Sequence, residues 1–253
     1  MSRVNRRKFL RTSLAAGGAV SIIGCDRLSK SEWFPKVLDS AETLSNAAQT
    51  TLTPHAALAR EYFPGEIAAN FRGNGSIDPQ APAYVALAAN EFKDYRLEVS
   101  GLVNKPQSLS LTELKALPSR TQITRQDCVE GWSAIGQWKG VPLSTVLELS
   151  GRLPRARFVI FRCADSLDGI SDYYESIDMQ DADHPQTILA YELNGRPLPI
   201  ANGAPLRVRV ERQLGYKMAK YIMRIELVES FAQIEGGKGG YWEDQGYEWY
   251  AGI

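Results

Sequence analysis

The chain has 253 residues, 44% hydrophobic and 23% charged, with a formal net charge of zero. That length is ample for one packed domain of about 200 residues. Zero net charge leaves no global basic field for nucleic acid, and no apolar run outside the leader is long enough for a membrane span.

Residues 1–25 read as a leader. NRRKFLRTS (5–13) is basic, LAAGGAVSIIG is weakly apolar, and Cys25 follows, the pattern of a signal peptide. Arg6 and Arg7, followed by Phe9 and Leu10, resemble the twin-arginine class, whose exporter accepts folded cargo. An ordinary secretory signal carrying two arginines is the alternative. IIGC is similar to a lipobox, which would make Cys25 a lipidated N-terminus; a chance cysteine near a cleavage site is the other reading. Asp26 resembles the signal that keeps lipoproteins on the inner membrane.

From Pro35 to Leu52, apolar residues recur at helical spacing, so a helix that packs on the body is expected. The stretch from Tyr62 to Pro82 is rich in Gly, Pro and Asn and reads as a long irregular segment. YRLEVSGLV then alternates, with Leu97 and Val99 on one face. SLSLTELKAL predicts a strand and a helix capped by Thr112, and PLSTVLELSG a helix closed by Gly151. ARFVIFRCAD is a buried strand, and TILAYELNGRPLP contains an Asn-Gly turn. PLRVRVE predicts Leu206, Val208 and Val210 inward and Arg207, Arg209 and Glu211 outward; Arg209, Arg212 and Arg224 read as surface charge. YIMRIELVE is the last long strand. Short strands mixed with few helices, without a βαβ rhythm, predict an α+β fold.

Three cysteines occur, and Cys128 has unusual neighbours, in RQDCVEGWSAIGQWKGVPL. Charged and turn-forming residues around it suit a working thiolate better than core filling. A disulfide between Cys128 and Cys163 is not expected, because a chain of this length needs no staple. The cysteine, the nearby tryptophan and Trp-x-Gly-x-Pro-Leu resemble the molybdopterin-binding core of the sulfite oxidase superfamily. The form CVEGWS is most similar to its bacterial branch, which includes periplasmic methionine sulfoxide reductase catalytic subunits. Two further blocks agree, YRLEVSGLVNKPQSLSLTELKALP and LAYELNGRPLPIANGAPLRVRVERQLGYKMAKYIMRIELV, and all three follow the family's order.

The resemblance implies a sulfite oxidase molybdopterin-binding fold of mixed β-sheets with short helices. It also implies a molybdenum–molybdopterin cofactor whose metal takes two dithiolene sulfurs and the Cys128 thiolate, soft donors suited to such a centre. Asn202 and Arg207 match pterin contacts, and Met218, Ala219 and Lys220 match a backbone segment that does the same. Lys217 lies in the block used to grip the pterin phosphate. Cys163 stands where the reductase branch has a threonine near the cofactor, though plain core filling also suits it. FRGNG resembles a loop that reaches the pterin, which brings in Arg72 and Asn74. Glu130 matches a glutamate near the metal and would share a strand face with Cys128. It either donates a proton or only orients Trp132 or a backbone amide. A carboxylate there disfavours an anionic substrate.

The expected organisation is a signal peptide over 1–25, a linker and packing helix over 26–60, and a catalytic domain over 61–253 with an aromatic tail. The expected function is two-electron oxygen-atom transfer in the periplasm, reducing a sulfoxide-type substrate. Sulfite oxidation, or a non-catalytic binding lipoprotein of the same fold, are the alternatives. Only His55 and His184 are present and no haem motif occurs. Electrons are therefore expected from a separate redox partner, a membrane haem protein or a soluble cytochrome. No nucleic acid is expected as a partner, and the membrane only through the lipid anchor at Cys25.

Overall fold

The computed structural model describes Ser31, Pro54 and residues 33–52 and 57–253. The leader, Cys25 and His55 lie outside the described residues. The chain divides into two compact units, 1–52 and 53–253. In the first, the expected helix forms as α1 (Phe34–Leu52). Among the described residues no helix is long and apolar enough to cross a membrane. In the second, hydrogen bonds reach back beyond the expected start at residue 61: Gln186 holds both the N–H and the carbonyl of Ala59.

The second unit carries ten strands: β1 (Arg96–Gly101), β2 (Gln107–Ser110), β3 (Arg120–Cys128), β4 (Trp132–Pro142), β5 (Phe158–Ser166), β6 (Asp172–Asp178), β7 (Ile188–Leu193), β8 (Arg196–Pro197), β9 (Arg207–Arg209) and β10 (Ile222–Val228). Its helices are short: α2 (Pro82–Ala89), α3 (Leu111–Ala116), α4 (Leu143–Leu149), α5 (Met179–Ala182) and α6 (Tyr241–Asp244). One sheet runs β2-β1-β10-β5-β6, with β1 and β10 parallel. The other runs β3-β4-β7-β8, with β9 also paired to β7. Mixed sheets with short helices are the α+β architecture expected.

Alternation explains β1, where Leu97 and Val99 are fully buried as predicted. The α3 cap is not Thr112. Ser110 Oγ accepts from Glu113 N at 3.2 Å while Glu113 Oε2 accepts from Ser110 N at 2.7 Å. The Ser-x-x-Glu spacing makes this reciprocal box two residues earlier. Asn194 and Gly195 take the left-handed conformation (φ 52° and 73°) that a two-residue turn between β7 and β8 requires.

The larger correction concerns β9. Leu206, Val208 and Val210 enter the main core, but Arg207, Arg209 and Glu211 are also buried, at 0%, 0% and 4% exposure. Arg209 is therefore not surface charge. Its guanidinium pairs with Glu211 at 2.6 Å and lies 4.4 Å from the Trp138 ring centroid. Alternation here separates an apolar interior from a polar one, because both faces of β9 are covered. The opposing face of β3 is polar too: Gln122, Thr124 and Gln126 are at most 1% exposed.

Candidate active site

The β3–β4 hairpin is paired from Arg120↔Gly140 to Cys128↔Trp132, which places Cys128 at its tip. The strand ends there. Val129, Glu130 and Gly131 form a turn closed by Gly131 N to Cys128 O at 3.0 Å, with Gly131 at φ 84°. Glu130 thus sits on a turn rather than on an extended strand beside Cys128. Its Oε2 accepts from Trp132 Nε1 at 2.9 Å and lies 3.8 Å from Arg72 Nη2. The orienting role foreseen for this carboxylate is present, and it also reaches the cavity.

That cavity has a volume of about 160 Å³ and is lined by Asn74, Cys128, Glu130, Met218 and Lys220 among the expected residues. A second hollow, of about 560 Å³, shares Asn74 and Glu130 with the first and adds Arg72 and Asn202. Ala219 and Cys163 are buried and line neither hollow, as is Arg207. The Cys163 thiol is pushed well up by burial and by Asp165, and it meets the Lys220 backbone. Cys128 and Cys163 are both free thiols.

Lys217 does not take the expected role. Its side chain is fully buried, with Nζ 2.5 Å from Glu175 Oε1 and from Glu243 Oε1, so its charge is already matched away from the cavity. Lys220 is the cation that faces the cavity. It donates to Asn74 O at 2.5 Å and to Ser76 O, which ties the early loop to the later block.

Several contributors carried no motif. Gln126 Oε1 accepts from Arg207 Nη2 at 3.1 Å and Arg209 Nη1 at 2.6 Å, while its Nε2 donates to Asn74 Oδ1 at 3.3 Å. Its position two residues before Cys128 on β3 was the available signal. Asp165, two residues after Cys163 on β5, lines the cavity floor, and Tyr216, Trp242 and Tyr247 bring aromatic rings to it.

The electrostatics suit an anion. Burial and then Arg207 push Lys220 down to about 7, and burial and then Arg209 push Arg207 down to about 9. These cations raise one another's energy, and Arg207 Nε is buried with no hydrogen-bond partner. Burial, chiefly, also raises the Cys128 thiol, while Arg72 and Arg207 favour its thiolate. A pterin dithiolene ending in a phosphate supplies the missing negative charge, so the residues present fit that group.

Residues 84–233 match the oxidoreductase molybdopterin binding domain family. The putative protein-methionine-sulfoxide reductase subunit YedZ1 of Azospira oryzae is 40% identical over 247 residues, covering 98% of this chain and 87% of that protein. The protein-methionine-sulfoxide reductase catalytic subunits MsrP of Xanthomonas campestris and Xanthomonas axonopodis are 38% and 37% identical over 171 residues. Those matches cover 64% of this chain and 52% of each relative, so the chain spans about half the length of these two proteins. The sulfane dehydrogenase SoxCD of Paracoccus pantotrophus shares the fold, with a TM-score of 0.51 and 23% identity over 70% of this chain and 46% of that one. A match across 84–233, a relative at 40% identity along nearly the whole chain, and a thiol beside buried cations together place this protein among the molybdopterin-binding oxidoreductases of the sulfite oxidase fold.

Proposed function

We propose that the chain is the catalytic part of a system that reduces a sulfoxide, with methionine sulfoxide in proteins as the substrate class. The reaction consumes two electrons and two protons, turning the sulfoxide into a thioether and water. Molybdenum–molybdopterin, when bound, supplies two-electron oxygen-atom transfer. Cys128 would hold the metal; Lys220, Asn74, Asn202 and Met218 would hold the pterin, with Arg207 buried behind them adding positive charge. Glu130 is on the cavity wall and delivers a proton, directly or through water. It also makes the entrance less hospitable to an anion, which favours a neutral sulfoxide over sulfite. The observation that carries this reading is Cys128 opening into the same cavity as Glu130 and Lys220.

The names of the Azospira and Xanthomonas relatives support a separate redox partner, here a membrane haem protein or a soluble cytochrome. The paired Arg6 and Arg7 support twin-arginine export to the periplasm, and IIGC supports anchoring to the inner membrane through lipidated Cys25. Arg72 near Glu130 favours a second reading, oxidation of sulfite or a related sulfur compound, because its guanidinium gives an anion one partner.

Metal and pterin analysis of the protein exported by its own signal, with Cys128→Ser alongside, tests this. About one molybdenum per chain, lost in the variant, is expected. The loaded enzyme should then reduce sulfoxides with a viologen donor and leave sulfite untouched. A well-folded protein without molybdenum sinks the enzyme reading, and turnover of sulfite alone moves the assignment to the second one.

A further inference from the structure

The last stretch of the chain, GGKGGYWEDQGYEWYAGI (236–253), follows the residues matched to the family, yet it reaches the cavity. Trp242 and Tyr247 line it together with Cys128 and Glu130. Their rings stack with centroids 5.2 Å apart and planes at 28°, and Tyr216 meets Tyr247 edge-on at 5.2 Å. This wall is held in place. Glu243 is bound to the buried Lys217, Tyr216 Oη donates to Glu248 O at 2.7 Å, and Trp249 Nε1 donates to Ser176 Oγ at 2.8 Å. Leu214 N also donates to Ala251 O at 2.9 Å.

The cavity has two unlike ends. Asp165, Met218 and Lys220 are buried and form the floor, while Val129 and Tyr247 are 45% and 41% exposed and mark the mouth. Cys128, 9% exposed, lines the same cavity as both ends. We propose that Trp242 and Tyr247 are specificity-determining residues that receive the apolar groups flanking a neutral sulfoxide. This rests on the sulfoxide reading. An aromatic face carries negative charge density, which disfavours a compact anion, while thioether carbon and sulfur pack well against it. Lys220 on the floor and the aromatics at the mouth thus divide one cavity between an anionic cofactor and an uncharged substrate.

The test uses the loaded enzyme and its Trp242→Ala, Trp242→Phe and Tyr247→Ala variants. Each is assayed with methyl p-tolyl sulfoxide and dimethyl sulfoxide, and titrated calorimetrically with methyl p-tolyl sulfone as an unreactive probe. The ratio of kcat/KM for the aryl over the dimethyl substrate should fall about tenfold in the alanine variants. Sulfone affinity should weaken in parallel, Trp242→Phe should recover most of both, and molybdenum and pterin contents should hold. An unchanged ratio with unchanged sulfone binding overturns the proposal. So does loss of pterin from the alanine variants, which would give the aromatic wall to the cofactor. If the wild-type enzyme reduces no sulfoxide, the substrate reading fails separately. The sulfone titration still decides the wall: weaker binding in the variants supports it, and equal or absent binding removes it.

Discussion

Lys217 Nζ lies 2.5 Å from Glu243 Oε1, with the two side chains 0% and 1% exposed. The contact joins the turn at 215–217, which precedes the cavity-lining residues Met218 and Lys220, to the C-terminal tail. Burial pulls the Lys217 pKa down, but the Glu175 and Glu243 carboxylates outweigh it and hold the ammonium above its ordinary range. Burial, in turn, pushes Glu175 well up, and Glu243 adds to the effect. The group is therefore closest to neutral as one ammonium, one carboxylate and one carboxylic acid. Lys217→Met leaves two carboxyl groups without their cation and should cost about 3–5 kcal/mol in urea unfolding. Adding Glu175→Gln and Glu243→Gln should return most of that loss. Proteolysis should cut the tail of the single variant faster than that of the triple variant.

Gln126 is a positioning residue for the cofactor side. Its carbonyl oxygen serves two buried guanidiniums at once. Gln126→Leu strands both donors and should cost about 2–4 kcal/mol. Pterin retention through gel filtration should fall with it, because Arg207 and Asn74 lose a common support. Gln126→Glu keeps the acceptor and should preserve stability. Equal pterin retention in the Leu and wild-type proteins would leave Gln126 a purely structural role.

The buried Lys220 gives the cofactor-free protein a distinctive pH response. Folded, it releases its proton near 7; the ordinary value of 10.5 applies to the unfolded chain. Between those values the unfolded state holds the extra proton, so the Lys220 contribution to stability rises with pH, by at most about 1.4 kcal/mol per unit. Asp165 acts in the opposite sense. Burial raises it from 3.8 to about 6, so the folded state holds the extra proton there and stability falls as pH climbs through that window. The pair contributes least between about pH 6 and 7. Thermal unfolding of the Cys128→Ser protein should show Tm rising from pH 7 to 9, and Lys220→Met should flatten that rise. A bound anionic cofactor should flatten it too, by keeping Lys220 charged.

The Ser110–Glu113 box offers a control away from the cavity. Ser110→Ala should cost about 1 kcal/mol through the lost cap on α3. Its molybdenum content and pH response should match the wild type, as measured by metal analysis and thermal unfolding.

Sequence by itself determined the fold class, the bend in the chain beside Cys128, and the order of the three blocks shared with the family. These are records of local pattern: alternation along β1, a Gly turn after Cys128, an Asn-Gly turn after β7. It also led to Asn74, Glu130, Met218 and Lys220, which meet at one cavity. Only the tertiary structure decided which cations are free to serve an anion. Lys217 and Lys220 are three residues apart, yet one is held by two carboxyl groups from β6 and α6 while the other faces the cavity. Arg209 reads as an outward charge on an alternating strand until the polar face of β3 covers it, with Gln126 reaching it from 83 positions away. The tail aromatics are likewise held by Lys217, Tyr216 and Ser176 rather than by their own pattern. Periodicity reports how a segment sorts its two faces. What each face meets is set by distant segments packed against it, and that packing decides the state of a buried charge.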